Sequence, residues 1–319
     1  VLELGYVPAI TLVAAIVADR ARRAGLRVLF IKGPFFTAQG VRDPKQSFDL
    51  DILLHPEDVD QLVELLAKDG WRLRDHPDAV LPFEEHSVTI LHHFWPCTID
   101  VHRFWLGFLQ DAALTFERLW QYRERTAVGA LAFDTPCYED SAVLEALNEI
   151  RSGHRHEGTL AGIRQRVRGR LGEAAGCRLR ERALQLGAEL SAAPFLRPLG
   201  QHVSIPDAPG PAYAEWVKRL SAEDQSVTAW LLRLRDAPLR RRPGMVVDAL
   251  ALRPSQLRAL RPDARPGFRG FLEAWTTRAR KGSRDMCRYI VRERRRGTGR
   301  RTVTNRTDTR RPEHGEEVL

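Results

Sequence analysis

At 319 residues, with 43% hydrophobic and 29% charged side chains, the chain has ordinary globular composition and can bury cores for two domains. Its four cysteines form no C-x-x-C pair, which argues against a zinc ribbon or disulfide scaffold and fits a reducing cytoplasm. The apolar run at 9–18 is too short to cross a bilayer and lacks signal-peptide flanks, so no membrane partner is expected. The net charge of +9 is localised: residues 278–311 carry 14 Lys/Arg against 3 Asp/Glu, residues 312–319 carry 3 Glu, and residues 1–277 are nearly neutral. The first residue is Val rather than Met, so a start upstream or at an unusual codon is expected.

Residues 8–24 have helical periodicity, with Ile10, Val13, Ile16 and Val17 on one side and Gly25 as a stop. A short β-rich run at 26–31 leads into Lys32-Gly33-Pro34, where Gly33 supplies backbone freedom and Pro34 suits a first helical turn. A short helix to about residue 39, a polar loop and a strand at 49–54 follow. Pro56 opens a helix with Val59, Leu62, Val63, Leu65 and Leu66 on its apolar face, stopped by Gly70. Residues 71–73, 87–91 and 98–104 read as further strands. Beyond residue 108 the pattern is mainly helical, at 112–123, 141–152, 160–169, 174–193, 211–220, 224–235 and 268–289, with a short strand at 131–133. Prolines at 194, 198, 206, 209 and 211 mark a long loop. From about residue 294 the chain is rich in Arg, Thr and Gly and is expected to be disordered.

The strand Asp49-Leu50-Asp51-Ile52-Leu53-Leu54 carries the chemistry. Side chains alternate across a strand, so Asp49 and Asp51 share a face while Leu50, Ile52 and Leu54 enter the core. Two carboxylates so close raise each other's pKa unless a cation lies between them. An all-oxygen site suits Mg²⁺ or Mn²⁺. Asp100 lies in a second strand-like run, with Ile99 and Val101 facing the other way, and can complete a three-carboxylate centre or act as general base. His92, His93, His102 and Cys97 fit no common zinc spacing; His102 shares a face with Asp100 and reads as a supporting or partly buried residue. His154-x-His156 reads as a polar helix end. Trp95, Trp105, Trp120 and Trp230 read as packing residues, with Trp105 a candidate wall of a base or acceptor pocket.

Lys32-Gly33, the Asp49–Asp51 strand, the helix ending in Asp69-Gly70-Trp71, Ile99-Asp100-Val101-His102 and the Thr135–Asp140 segment together resemble the uncharacterised bacterial nucleotidyltransferase family, within the DNA polymerase beta-like nucleotidyltransferase superfamily. The resemblance covers roughly residues 10–150. It implies an α/β (α+β) nucleotidyltransferase fold with a mixed sheet at 1–107; the helical pattern and the composition beyond add a mainly α-helical acceptor domain at 108–293 and a disordered Arg-rich tail at 294–319. It implies transfer of a nucleoside monophosphate from an NTP to an acceptor hydroxyl, with release of pyrophosphate. Asp49, Asp51 and Asp100 would hold Mg²⁺ or Mn²⁺. Lys32, Gly33, Lys45 and Ser47 would face the triphosphate. Pro34 follows Lys-Gly where the superfamily signature has Gly-Ser, Lys45 stands where the family carries Arg, and Leu147-Asn148 stands where it often carries His. The acceptor stays open between a small molecule, a peptide and RNA. A toxin-like enzyme acting on tRNA, and a non-catalytic nucleic-acid-binding protein on a degenerate fold, are the alternatives. The tail reads either as a polyanion-binding arm or as a solvated extension.

Overall fold

Strand alternation and helix periodicity build the first half of the chain. The computed structural model describes residues 5–74, 84–152, 157–208 and 210–222, with short pieces between 234 and 284. The chain divides into two compact units, Val1–Asp224 and Gln225–Leu319. The expected helices at 224–235 and 268–289 lie largely, and His154-x-His156, Trp230 and the Arg-rich tail wholly, outside the described residues.

Helix α1 (Tyr6–Arg23) buries Ile10, Val13, Ala14, Val17 and Ala21, spaced at three and four residues, and packs against β1 (Val28–Ile31) and β2 (Asp49–Leu54). Between the strands lies the six-residue α2 (Gly33–Ala38). Helix α3 (Val59–Lys68) turns Val59, Leu62 and Leu66 inward and packs on α1. Strands β3 (Arg72–Leu73), β4 (Ser87–Leu91) and β5 (Thr98–His102) complete a five-stranded sheet of order β1-β2-β5-β4-β3. Only β2 and β5 pair in parallel; the other neighbours are antiparallel, so the sheet is mixed, as expected. Leu50, Ile52, Leu54, Ile99 and Val101 are buried on the face away from the aspartates.

Helix α4 (Ala112–Gln121) is capped by the Asp111 carboxylate, which accepts from the Leu114 N–H. A hairpin of β6 (Glu124–Val128) and β7 (Leu131–Thr135) follows. The sequence points to β7 but not to β6, whose outward Arg125 and Ala127 dilute its apolar signal. Phe133 of β7 packs on Phe30 and Phe35, tying the hairpin to β1 and α2. Helix α5 (Tyr138–Arg151) is buried around its whole circumference from Tyr138 to Leu147. Helices α6 (Glu157–Leu171) and α7 (Ala175–Gln185) pack on it, followed by α8 (Ala193–Leu196) and α9 (Pro211–Ala222). The single helix expected at 174–193 is broken: Gly187 takes φ 69° and a Cβ there would press on Gln110. Its N–H side of the turn is closed by Ala188 N–H donating to the Ala183 carbonyl.

Candidate functional site

The parallel register places Asp51 beside Asp100 and Asp49 beside Thr98. Asp49, Asp51 and Asp100 each bring a carboxylate oxygen within 4.8 Å of the others. They are the only such group of potential ligands among the described residues; His92, His93 and Cys97 do not join it. Three hard oxygen donors fit Mg²⁺ or Mn²⁺ and suit zinc poorly.

Each carboxylate is held differently. Asp51 is 4% exposed, and its Oδ1 accepts from Lys32 Nζ at 2.7 Å and from His102 Nε2 at 2.9 Å. Burial pushes this carboxyl up, but Lys32 and His102 outweigh it and hold Asp51 well below the usual carboxylate range. Because a carboxylate only accepts, His102 carries its proton on Nε2; its Nδ1 is buried without a partner among the described residues. Asp100 Oδ1 accepts from Thr89 Oγ1 at 2.7 Å, across the β4–β5 register. Asp49 has no such side-chain partner among the described residues. Burial, then the neighbouring Asp51, pushes its carboxyl up. An added cation would relieve that strain on Asp49.

Lys32 reaches Asp51 from an unusual backbone, with φ 56° and ψ −156°, in a region that side chains rarely occupy. Its ammonium also lies 5.1 Å from the Trp105 ring centre, and that ring contacts His102. Gly33 takes φ 43°, and a Cβ there would come within 3.1 Å of Ser47 Oγ, so the turn needs glycine. Ser47 is thus packed beside the Lys32-Gly33 turn. Lys45 is exposed on the loop before β2.

Several neighbours carry no signal in the sequence. Thr89 reads as an ordinary strand residue until its register with Asp100 is known. His86 rests against His102, and burial first, then the nearby charges, pushes its imidazole down to about 2, so it stays neutral. Glu145 of α5 is 2% exposed, 3.5 Å from Arg42, and its Oε2 has no partner among the described residues. Burial pushes Glu145 up, against the pull of Arg42 and, farther off, Lys32. It is a fourth carboxylate, buried, that feels the charges of Lys32 and Asp51.

A mixed sheet that gathers three carboxylates beside a lysine suits a protein that handles phosphates. Residues 14–190, more than half of the chain, match the uncharacterised nucleotidyltransferase family. The chain belongs to that family and is a nucleotidyltransferase. No curated protein matches the sequence significantly. Similar solved structures include ANT(2″)-Ia in complex with adenylyl-2″-tobramycin, at 12% identity and TM-score 0.40, covering 59% of this chain and 97% of that one. A solution structure of the antibiotic-resistance factor ANT(2″)-Ia is similar at 13% identity and TM-score 0.39, covering 60% and 92%. The lincosamide antibiotic adenylyltransferase LnuA, lincomycin-bound, follows at 12% identity and TM-score 0.30, covering 41% and 81%. Among the described residues no helix is long and apolar enough to cross a membrane.

Proposed function

We propose that the chain transfers a nucleoside monophosphate from an NTP to an acceptor hydroxyl and releases pyrophosphate, with Asp49, Asp51 and Asp100 holding Mg²⁺ or Mn²⁺. The observation that carries this reading is the convergence of the three carboxylates within 4.8 Å beside Lys32. When bound, a divalent ion supplies charge neutralisation for the phosphates and acidifies the attacking hydroxyl. The chain's own residues do the rest. His102 and Lys32 fix the Asp51 carboxylate in one orientation, and Thr89 does the same for Asp100. Lys32 places a positive charge at the turn where the triphosphate would lie, with Gly33 and Ser47 keeping that turn narrow. Lys45 reaches the phosphates only from the exposed loop, as a solvated charge.

Isothermal titration of ATP in the presence of Mn²⁺ tests the proposal. The wild type should bind ATP only with the metal, and the Asp49→Asn/Asp51→Asn double variant should lose at least about tenfold in affinity, roughly 1.4 kcal/mol. Binding that needs no metal, or that survives both substitutions unchanged, would sink the reading.

A further inference from the structure

Beyond His102 the chain enters a loop clamped onto α5. Trp105 Nε1 donates to the Leu144 carbonyl at 3.3 Å. Gly107, at φ 103°, lies so close to Leu147 that a Cβ would meet it at 2.8 Å, and Ser191 Oγ donates to the Gly107 carbonyl. This clamped loop forms one side of a cavity of about 320 Å³, the size of a small-molecule site. Phe104, Trp105, Phe108 and Phe116 give it aromatic walls, and its only charged lining residues among those described are Glu84 and Asp111. No Lys or Arg lines it, although the chain has 50 of them against 41 Asp/Glu. The cations behind the walls are engaged: Arg27, over Phe116, with Glu117; Lys32, beside Trp105, with Asp51; Arg118 with the Gln110 side chain and the Gln185 carbonyl; and Arg219 with Glu215 and the Glu84 carbonyl. The Glu84 carboxylate has no partner among the described residues.

The cavity also adjoins the carboxylate centre. Leu53 lines it and lies two residues beyond Asp51 on the same face of β2, about 7 Å along the strand. Trp105 belongs to both places.

We propose that this cavity binds the acceptor and that the acceptor is an organic cation with an apolar or aromatic body. Aromatic faces attract a cation, and the two rim carboxylates add to that attraction, with no Lys or Arg among the lining residues. A molecule anchored there can present a hydroxyl one strand step away, at Asp51 and Asp100. The acceptor role rests on the nucleotidyl-transfer reading; the cation preference of the cavity does not.

The test uses two probes of similar shape, benzyltrimethylammonium and neutral benzyl alcohol, titrated into the full chain and followed by tryptophan fluorescence and calorimetry. The wild type should bind the cation and discriminate against the alcohol. Glu84→Gln with Asp111→Asn removes both charges while leaving a side chain that can cap α4. That variant should weaken cation binding about fivefold and leave the alcohol unchanged. Phe108→Ala, at a half-buried position, should weaken it as well. Equal binding of cation and alcohol, no saturable binding of the cation, or indifference to the double substitution overturns the proposal. ATP with Mn²⁺ supplies the second arm. Simultaneous binding of ATP and the cation supports an acceptor site. Mutual exclusion assigns the cavity to the nucleobase and overturns the acceptor role. Failure of ATP to bind at all refutes the transfer reading itself and the acceptor role with it.

Discussion

Replacing Asp49 by Asn isolates the electrostatic cost of the carboxylate centre. Asp49 faces two carboxylates within 4.8 Å and has no cation of its own, whereas Lys32 is bonded to Asp51. At an effective dielectric near 20, like charges at that separation repel by about 3.5 kcal/mol per pair. Lys32 and solvent offset much of this, leaving roughly 1–3 kcal/mol of relief in the metal-free protein, or a rise in Tm of about 2–4 °C. The sign with pH follows from the raised carboxyl of Asp49. Its folded state favours the protonated form, so the wild type loses stability as pH rises through that raised pKa. The Asn variant should therefore gain little near pH 4 and most at pH 7–8. Scanning calorimetry in chelator, then with 10 mM Mg²⁺, reads both halves. The metal should stabilise the wild type, by about 2.7 kcal/mol when it stands 100-fold above its dissociation constant, and the variant much less. An Asn variant that is less stable in chelator, or one that responds to Mg²⁺ as the wild type does, refutes the reasoning.

Lys32→Ala leaves the buried Asp51 with His102 alone and should cost about 3 kcal/mol in urea unfolding of the metal-free protein; a loss below 0.5 kcal/mol would show that the pair is not held. Among the described cysteines, Cys177 is exposed, while burial pushes the Cys97 thiol up to about 11 and Cys137 to about 12. At pH 8, maleimide followed by peptide mapping should label Cys177 within minutes and spare the other two until the chain is unfolded. Deleting residues 295–319 should abolish binding to heparin or duplex DNA and remove its salt dependence, if the basic segment is an arm; unchanged affinity rejects that role.

What could be read in advance was whatever follows a period. The bounds of β2 and β4 come directly from alternation, and the three aspartates stand out because each interrupts an apolar strand. What could not be read was cross-chain register. Thr89 meets Asp100, and His102 meets Asp51, only because β4, β5 and β2 align as they do. Glu145 lies in a helix buried on all sides, where no amphipathic stripe says which face matters. The break at Gly187 arises from a close approach to Gln110 that spans 77 residues of sequence. The strand β6 was hidden for the opposite reason, since its outward positions are polar or small and its pairing with β7 is set by the turn at Gly129, at φ 63°.

The parallel pairing of β2 with β5 has a kinetic meaning. Antiparallel neighbours such as β1 and β2 can zip from a nearby turn, but parallel strands need an intervening crossover. Here that crossover runs through α3, β3 and β4 before Asp100 can reach Asp51. An early β1–β2 pair would hold Lys32 against Asp51 as a neutralised couple, with Asp100 still absent. Divalent-ion binding during refolding would then time the closure of that one crossover, because the third carboxylate arrives only when the topology is complete.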